Sequence, residues 1–384
     1  MKIAHICLGT FFPDRCSYQE NMLPKFHKQM GLDVEVITSL ITLDEYGKKI
    51  LYSGPSVYFN EYDIKVTRLK YKKPEKLFTI LKSFKGLREC LEKATPDIIF
   101  VHNCQFLDIN IILQYVKKKD VKLFIDNHGD FMNSAKNWFS KNIMHKLIWK
   151  RYAKKIEPYV ERFYGVLPAR VSFLKNVYGI SDSKCELLVM GADDEMVELV
   201  RRENRNIFRE SMGISESDFV IVSGGKINKY RPEVLFLLQA IHELDSASVK
   251  MIFFGNVEDE YKDIFDKYVD NEKIINVGWI DSRESYKYIA IADLAVYPGL
   301  HSVLWEQTVG QGIPCVFRDI EGFHHVDCGG NAIFLKEPTV KSLCEILNKL
   351  VFDNSRMCYM KQIAEDVGMK KFLYSEIAKR SINL

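Results

Sequence analysis

Three short stretches of the 384-residue chain gather side chains that could do chemistry. The first is HSVLWEQTVGQGIP, residues 301–314, which follows the apolar run LAVYPG and so leaves a strand end. A helix beginning near Ser302 would turn the unpaired N–H groups of Ser302, Val303 and Leu304 toward an anion, and its macrodipole would favour negative charge there. Ser302 would also cap that helix. Glu306, one turn in, has the acceptor capacity to hold two vicinal hydroxyls; an acid in a first helical turn also stabilises the helix itself. The second stretch, SGGKINKYR (223–231), places Lys226, Lys229 and Arg231 in a loop after a strand. A guanidinium fork beside ammonium point charges suits a phosphate, and an exposed basic turn has the same composition. The third, FIDNHGDF (124–131), sets His128 just past a strand with Asp130 close behind. An imidazole there could donate, accept or move a proton near neutral pH; it could equally be structural.

The elements that must position these residues alternate in type. KIAHICLG, DVEVITSL, DIIFVHN and KLFIDNHG are apolar runs separated by helical stretches such as SYQENMLPKFHKQMG. Strands alternating with longer helices imply a parallel sheet covered on both faces. His102 and Asn103 end the strand IIFVHN and face the same side as the other strand ends. The pattern restarts after residue 200 with FVIVSGG, EVLFLLQAIHEL, KMIFFGN, IINVGWI, LAVYPG and PCVFRD. Two doubly wound domains are therefore expected: 1–190, then a charged linker at 191–206, then 207–365. A C-terminal helix over 366–384 would cross back to the first domain. Strand C-termini in such sheets border a crevice, so a central cleft is the expected ligand site.

Composition narrows the setting. The net charge of +3 hides an asymmetry: residues 1–190 carry 31 basic against 20 acidic side chains, +11, and the remainder 23 against 31, −8. Much of the excess lies in 65–90 and 136–155, where lysines interleave with Phe, Trp, Leu and Ile. Such stretches suit an anionic membrane surface, or a solvated helix face whose apolar side meets the core. No nucleic-acid motif accompanies them. The nine cysteines show no C-x-x-C spacing, which suggests neither zinc nor a disulfide framework. No secretory signal or long apolar span is read, so a cytoplasmic protein is expected.

LLVMGADDEMV (187–197), the preceding VLPARVSFLKNVYGI, and FRESMGISESDFVIVSGGKINKYR taken in order resemble retaining glycosyltransferases of family four, which have the GT-B fold. The resemblance covers nearly the whole chain. It implies a nucleotide-sugar donor, UDP-linked in preference to GDP-linked, and a glycan or lipid-linked glycan acceptor. The setting would be surface polysaccharide synthesis at the inner face of the membrane. The family's Gly-Arg and downstream lysine appear here as Gly225-Lys226 and Arg231, with the cations exchanged. Both would stabilise charge growing on the departing diphosphate, and Ser302, Val303 and Leu304 would bind the same group.

The resemblance places a glutamate at the ribose. Counting back from GQGIP puts Gln307 there; Glu306 is preferred because the chemistry wants an anionic acceptor. His301 stands nearest the family's other, sugar-contacting glutamate. INVGWI matches the base-binding strand end, which implicates Trp279 and Ile280. His128 matches the histidine that reaches the donor sugar, and Gly9 and Thr10 occupy a loop that is glycine-rich in many relatives. No Asp-x-Asp tripeptide occurs, so transfer is expected to be metal-independent, without a cofactor and by front-face substitution. Alternatives are a GT-B nucleotide-sugar epimerase, a phosphorylase, and a nucleotide-sugar-binding subunit without catalysis.

Overall fold

The computed structural model describes residues 1–384 apart from 45–47, 75, 76, 78, 79, 132, 133, 245 and 247. The chain divides into two compact units, Met1–Val189 with Ile377–Leu384, and Met190–Glu376. In the first unit the strands are β1 (Lys2–Cys7), β2 (Asp33–Ser39), β3 (Ile41–Leu43), β4 (Lys49–Leu51), β5 (Val57–Phe59), β6 (Lys65–Leu69), β7 (Ile98–His102), β8 (Lys122–Asn127), β9 (Arg162–Gly165) and β10 (Cys185–Leu187). Eight of them form a sheet in the order β10-β9-β8-β7-β1-β2-β6-β5. All neighbours run parallel except β5, which pairs antiparallel with β6, and β3 and β4 make a separate hairpin.

Strands buried on both faces must be apolar on both faces, and β1, β7 and β8 are continuous apolar runs from Ile3, Ile98 and Leu123 onward. The exceptions are His5, His102, Asp126 and Asn127, all fully buried. Each needs a partner, since a buried polar group without one costs free energy. The C-terminal residues Ile377, Ala378 and Ile382 are buried, and the carbonyl of Arg380 accepts from the Tyr164 hydroxyl at 3.1 Å.

Of the two lysine-rich stretches, 65–90 supplies β6 and the start of helix Leu87–Ala94; its residues 75, 76, 78 and 79 lie outside the described set. The stretch 136–155 forms the π-helix Ser140–Trp149, continued by the α-helix Lys150–Ile156. Trp149, Ala153 and Ile156 enter the core, while Trp138, Phe139 and Leu147 stay exposed among the lysines.

The second unit holds β11 (Phe219–Ile227), β12 (Val249–Val257), β13 (Ile274–Gly278), β14 (Leu294–Tyr297), β15 (Cys315–Arg318) and β16 (Ala332–Leu335). They form one parallel sheet in the order β13-β12-β11-β14-β15-β16. Helices Glu233–Glu243 and Val340–Phe352 cover one face through Leu237, Leu238, Ile241, Leu343 and Leu347. Each sheet reverses its strand order once, between β1 and β7 in the first unit and between β11 and β14 in the second. Loops leaving strands on either side of such a reversal diverge and open a crevice at the strand C-termini.

Candidate functional site

Both reversals carry a pocket. In the second unit, a small pocket of about 20 Å³ is lined by Ser223, Gly224, Lys226, Arg231, Tyr297–Leu300, Ser302 and Trp305. Backbones converge tightly beside it: a Cβ on Gly255 would stand 1.8 Å from the Gly225 carbonyl oxygen, and both glycines have positive φ. Lys226 is half exposed and pairs with Glu258 at 3.0 Å. Arg231 donates to the His301 carbonyl at 3.0 Å. Burial lowers the Arg231 pKa from its ordinary value, with Glu233 opposing; a guanidinium stays charged regardless. Two cations and a hydroxyl around a small pocket can hold a phosphate.

The helix after β14 spans Leu304–Gly310 with Val303 at its N-cap, later than the Ser302 start expected from sequence. The Trp305 amide is taken by the Ser302 carbonyl at 3.0 Å. Glu306 is fully buried, as is the whole run Trp305–Gly310 to within a few per cent. Its Oε1 accepts from Nε2 of both His301 and His325 at 2.8 Å. Against the cost of burial, these two rings hold the carboxyl down at about 2. So enclosed, the carboxylate stands as an internal brace between two histidines, a different environment from the open, ribose-facing one expected for Glu306. Gln307 is engaged as well, donating to the Ser285 hydroxyl at 2.8 Å.

Trp279 is exposed at the C-terminal end of edge strand β13, with Ile280 beside it, and neither lines the pocket. The sequence reading thus finds Lys226, Arg231, Ser302 and Gly225 gathered at one strand reversal, Glu306 and His301 in a cluster behind it, and Trp279 and Ile280 apart. His325 was missed. It lies 19 residues from its partner, and its sequence surroundings carry no signal of the contact.

The pocket of the first unit, about 550 Å³ and open to solvent, is lined by Leu8–Phe11, Tyr18, Glu20, Ile41, Lys49, Tyr71, Lys82, His128 and Arg170. Gly9 closes the β1 end: a Cβ there would lie 1.8 Å from the Asn103 carbonyl oxygen. His128 Nε2 stands 3.1 Å from Asp126 Oδ1 and 3.9 Å from Glu20. Burial works against the imidazolium, but Asp126 and then Glu20 outweigh it, so the His128 pKa is raised. Asp130 pairs with Arg170 at 3.1 Å.

Asp126, which the sequence reading passed over, opens a buried chain. Its Oδ2 meets His102 Nδ1 at 2.8 Å, His102 Nε2 meets His5 Nδ1 at 3.0 Å, and His5 Nε2 meets His27 Nδ1 at 2.9 Å. His27 Nε2 ends it between the Ala378 carbonyl at 3.1 Å and the Ser381 hydroxyl at 3.0 Å. Burial depresses His5 well below its ordinary value and His27 to about 4, so both are neutral at neutral pH. The Ser381 hydroxyl in turn donates to the Ala378 carbonyl at 2.8 Å, so the chain ends on a paired hydroxyl and carbonyl. A histidine in the middle of the apolar strand KIAHIC was the available signal, because buried polar residues are the informative ones.

Two trios, His102–Asp126–His128 and His301–Glu306–His325, have nitrogen and carboxylate atoms within 4.8 Å of one another, near enough for an ion to be shared. In both, the carboxylate oxygens already face the ring nitrogens.

Two doubly wound Rossmann-like units in one chain, each with a pocket at its strand reversal, constitute the GT-B fold. The chain is similar over its full length to a glycosyltransferase from Rickettsia africae (13% identity, TM-score 0.67, covering 100% of this chain and 97% of that one). Anabaena HepE in complex with UDP is similar too (12%, 0.63, 99% and 98%), as is the UDP-GlcNAc 2-epimerase from Neisseria meningitidis bound to UDP-GlcNAc (11%, 0.65, 100% and 99%). At these identities the likeness is one of fold. No protein-family model matches the sequence, and no curated protein matches it.

Proposed function

We propose that the protein is a glycosyltransferase that takes a sugar from a nucleotide-sugar, UDP-linked in preference, to a glycan or lipid-linked glycan acceptor. One observation carries this reading: Lys226, Arg231 and Ser302 converge on a small pocket at the β11/β14 reversal of a GT-B chain. As the bond from anomeric carbon to diphosphate breaks, charge grows on the departing phosphate, and cations already fixed there favour that state over the ground state. The acceptor oxygen forms the new bond on the same face, and its proton passes to the leaving phosphate, which retains configuration. His128, held by Asp126, serves the sugar or acceptor side from the first unit. Protein cations take the part a divalent metal plays elsewhere, so chelation should leave turnover unchanged.

Incubation with UDP-sugars and an acceptor extract, followed by detection of UDP release, tests the reaction; no release with any donor would end the transferase reading. A second reading, a nucleotide-sugar epimerase, draws on the epimerases among the similar structures. Epimer formed from UDP-GlcNAc without acceptor would favour it.

The enzyme would work at an anionic membrane. Exposed Trp138, Phe139 and Leu147 beside Lys136, Lys141 and Lys146 support this, because apolar side chains enter the interface while lysines meet acidic headgroups. Binding to liposomes that ignores acidic lipid content and salt would refute that part.

A further inference from the structure

We propose that the pocket at the β1/β7 reversal is an anion site whose Lys82 and Lys49 bind the phosphate of a phosphorylated ligand, a sugar phosphate or a lipid (di)phosphate. The proposal rests on the transferase reading in taking that ligand to be the acceptor. It begins with an imbalance of charge inside the pocket. At one end every ionic group is matched: His128 faces Asp126 and Glu20, and Arg170 pairs with Asp130. At the other end Lys82 and Lys49 have no carboxylate partner among the described residues.

Lys82 turns inward, and its ammonium donates to the Gly9 carbonyl. Burial first, and then the neighbouring Lys49, bring its pKa down to about 8. The backbone at Lys82 has φ +50, a left-handed conformation that costs a residue with a Cβ about 1 kcal/mol. Lys49 reaches from β4 to lie over the Phe11 ring, 4.6 Å from its centroid. Thr10 lines the same pocket, and its hydroxyl is buried without a hydrogen-bond partner among the described residues.

Two ammonium groups that raise each other's energy, with a spare hydroxyl, describe a site complete only when a dianion is present. A phosphate ester supplies the charge and enough acceptor oxygens for all three donors. The rest of the lining is apolar or aromatic: Leu8, Phe11, Tyr18, Ile41 and Tyr71. This is a wall for a sugar ring or a hydrocarbon stem. Ile50 and Leu51 next to Lys49, and Ile80 before Lys82, are exposed apolar residues, which provide a path for a lipid tail.

Calorimetric titration of the full chain with glucose 1-phosphate and with farnesyl diphosphate, each against its unphosphorylated counterpart, tests the site and separates the two sources. The expected result is binding of at least one phosphorylated probe, with Kd weakened about tenfold or more in Lys82→Gln and in Lys49→Ala. Lys49 is on an exposed strand, so its variant remains informative if Lys82→Gln misfolds. UDP titration of the same samples is the control, since its site lies in the other unit. UDP binding with no phosphate-dependent binding of either probe, or Kd values within about twofold in both variants, overturns the anion site and leaves the transferase reading standing. Loss of UDP binding by the wild type would instead overturn the transferase reading.

Discussion

Replacing Glu306 by glutamine separates a brace from a ribose ligand. The carboxyl is held at about 2 against an ordinary 4.5. At about 1.4 kcal/mol per pKa unit, the ionised group contributes about 3 kcal/mol to folding, and its complete burial leaves no solvent screening to discount. A depressed carboxyl gives stability that is present in full above the unfolded pKa and is lost as pH falls toward the folded one, so the whole amount is available at neutral pH. Glutamine keeps the volume and one acceptor, but it sets an amide N–H₂ where Oε2 is now buried without a partner, itself a cost of about 1–3 kcal/mol. Glu306→Gln should therefore lower unfolding free energy by at least about 3 kcal/mol at neutral pH, measured by urea denaturation, with the gap to wild type narrowing below pH 4.5. Binding of UDP relative to 2′,3′-dideoxy-UDP should be the same ratio in variant and wild type. Stability within about 1 kcal/mol of wild type, together with loss of the preference for UDP, would refute the brace and restore Glu306 to the ribose.

Acid should loosen the first unit before the second. The His27 pKa is lowered from 6.5 to about 4, so between those values the unfolded chain binds a proton that the folded one refuses, and stability falls by about 3 kcal/mol as pH drops through that window. His27→Gln should reduce the slope of urea midpoints across that window by His27's share, leaving the part owed to His5 and His145. Lys226→Ala and Arg231→Ala should each cut turnover by about 100-fold or more, read as UDP release. The exposed Lys226–Glu258 pair contributes under about 1 kcal/mol, so the Lys226 variant should melt as wild type does. Asp126→Asn removes the charge that raises the His128 pKa, so any limb of the pH–rate profile owed to His128 should move to lower pH.

The fold was readable because its strands leave no choice of environment. IIFVH and VKMIFFGN are apolar at consecutive positions, which only strands covered on both faces require, and they became β7 and β12. Arg231 and Ser302 follow their strands, as polar residues past a buried strand must, whereas Lys226, expected in the loop, is still within β11 and paired with Asn256. The enclosure of Glu306 was not legible because sequence periodicity shows that a short helix has a buried face but not that every side is covered. Trp305 through Gly310 are all enclosed, and one enclosing residue, His325, comes from a distant turn. The histidine chain was missed because its register is tertiary. His102 lies opposite Asp126 across β7 and β8, His5 is diagonal to His102 on β1, and His27 arrives from helix Gln19–Gln29.

Each unit has solved the same problem, a carboxylate buried between two imidazoles, with a different consequence for its pocket. Asp126 spends one oxygen on His102 and the other on His128 and the Asn103 amide, and the His128 ring itself lines the pocket. The carboxylate there governs a titrating group that a ligand meets. Glu306 gives a single oxygen to both of its rings, and the backbone carbonyl of His301 accepts from Arg231, which lines the pocket. Glu306 is therefore a positioning residue: it fixes the His301 ring, the ring fixes the loop, and the loop aims the guanidinium. That sequence has a measurable signature in a double-mutant cycle of Glu306→Gln with Arg231→Lys, read as UDP affinity. If the brace acts through Arg231, the two losses should fall short of additive by about 0.5 kcal/mol or more, because a lysine in place of the aimed fork has little left to lose. Additive losses would mean that the brace and the cation serve the nucleotide separately.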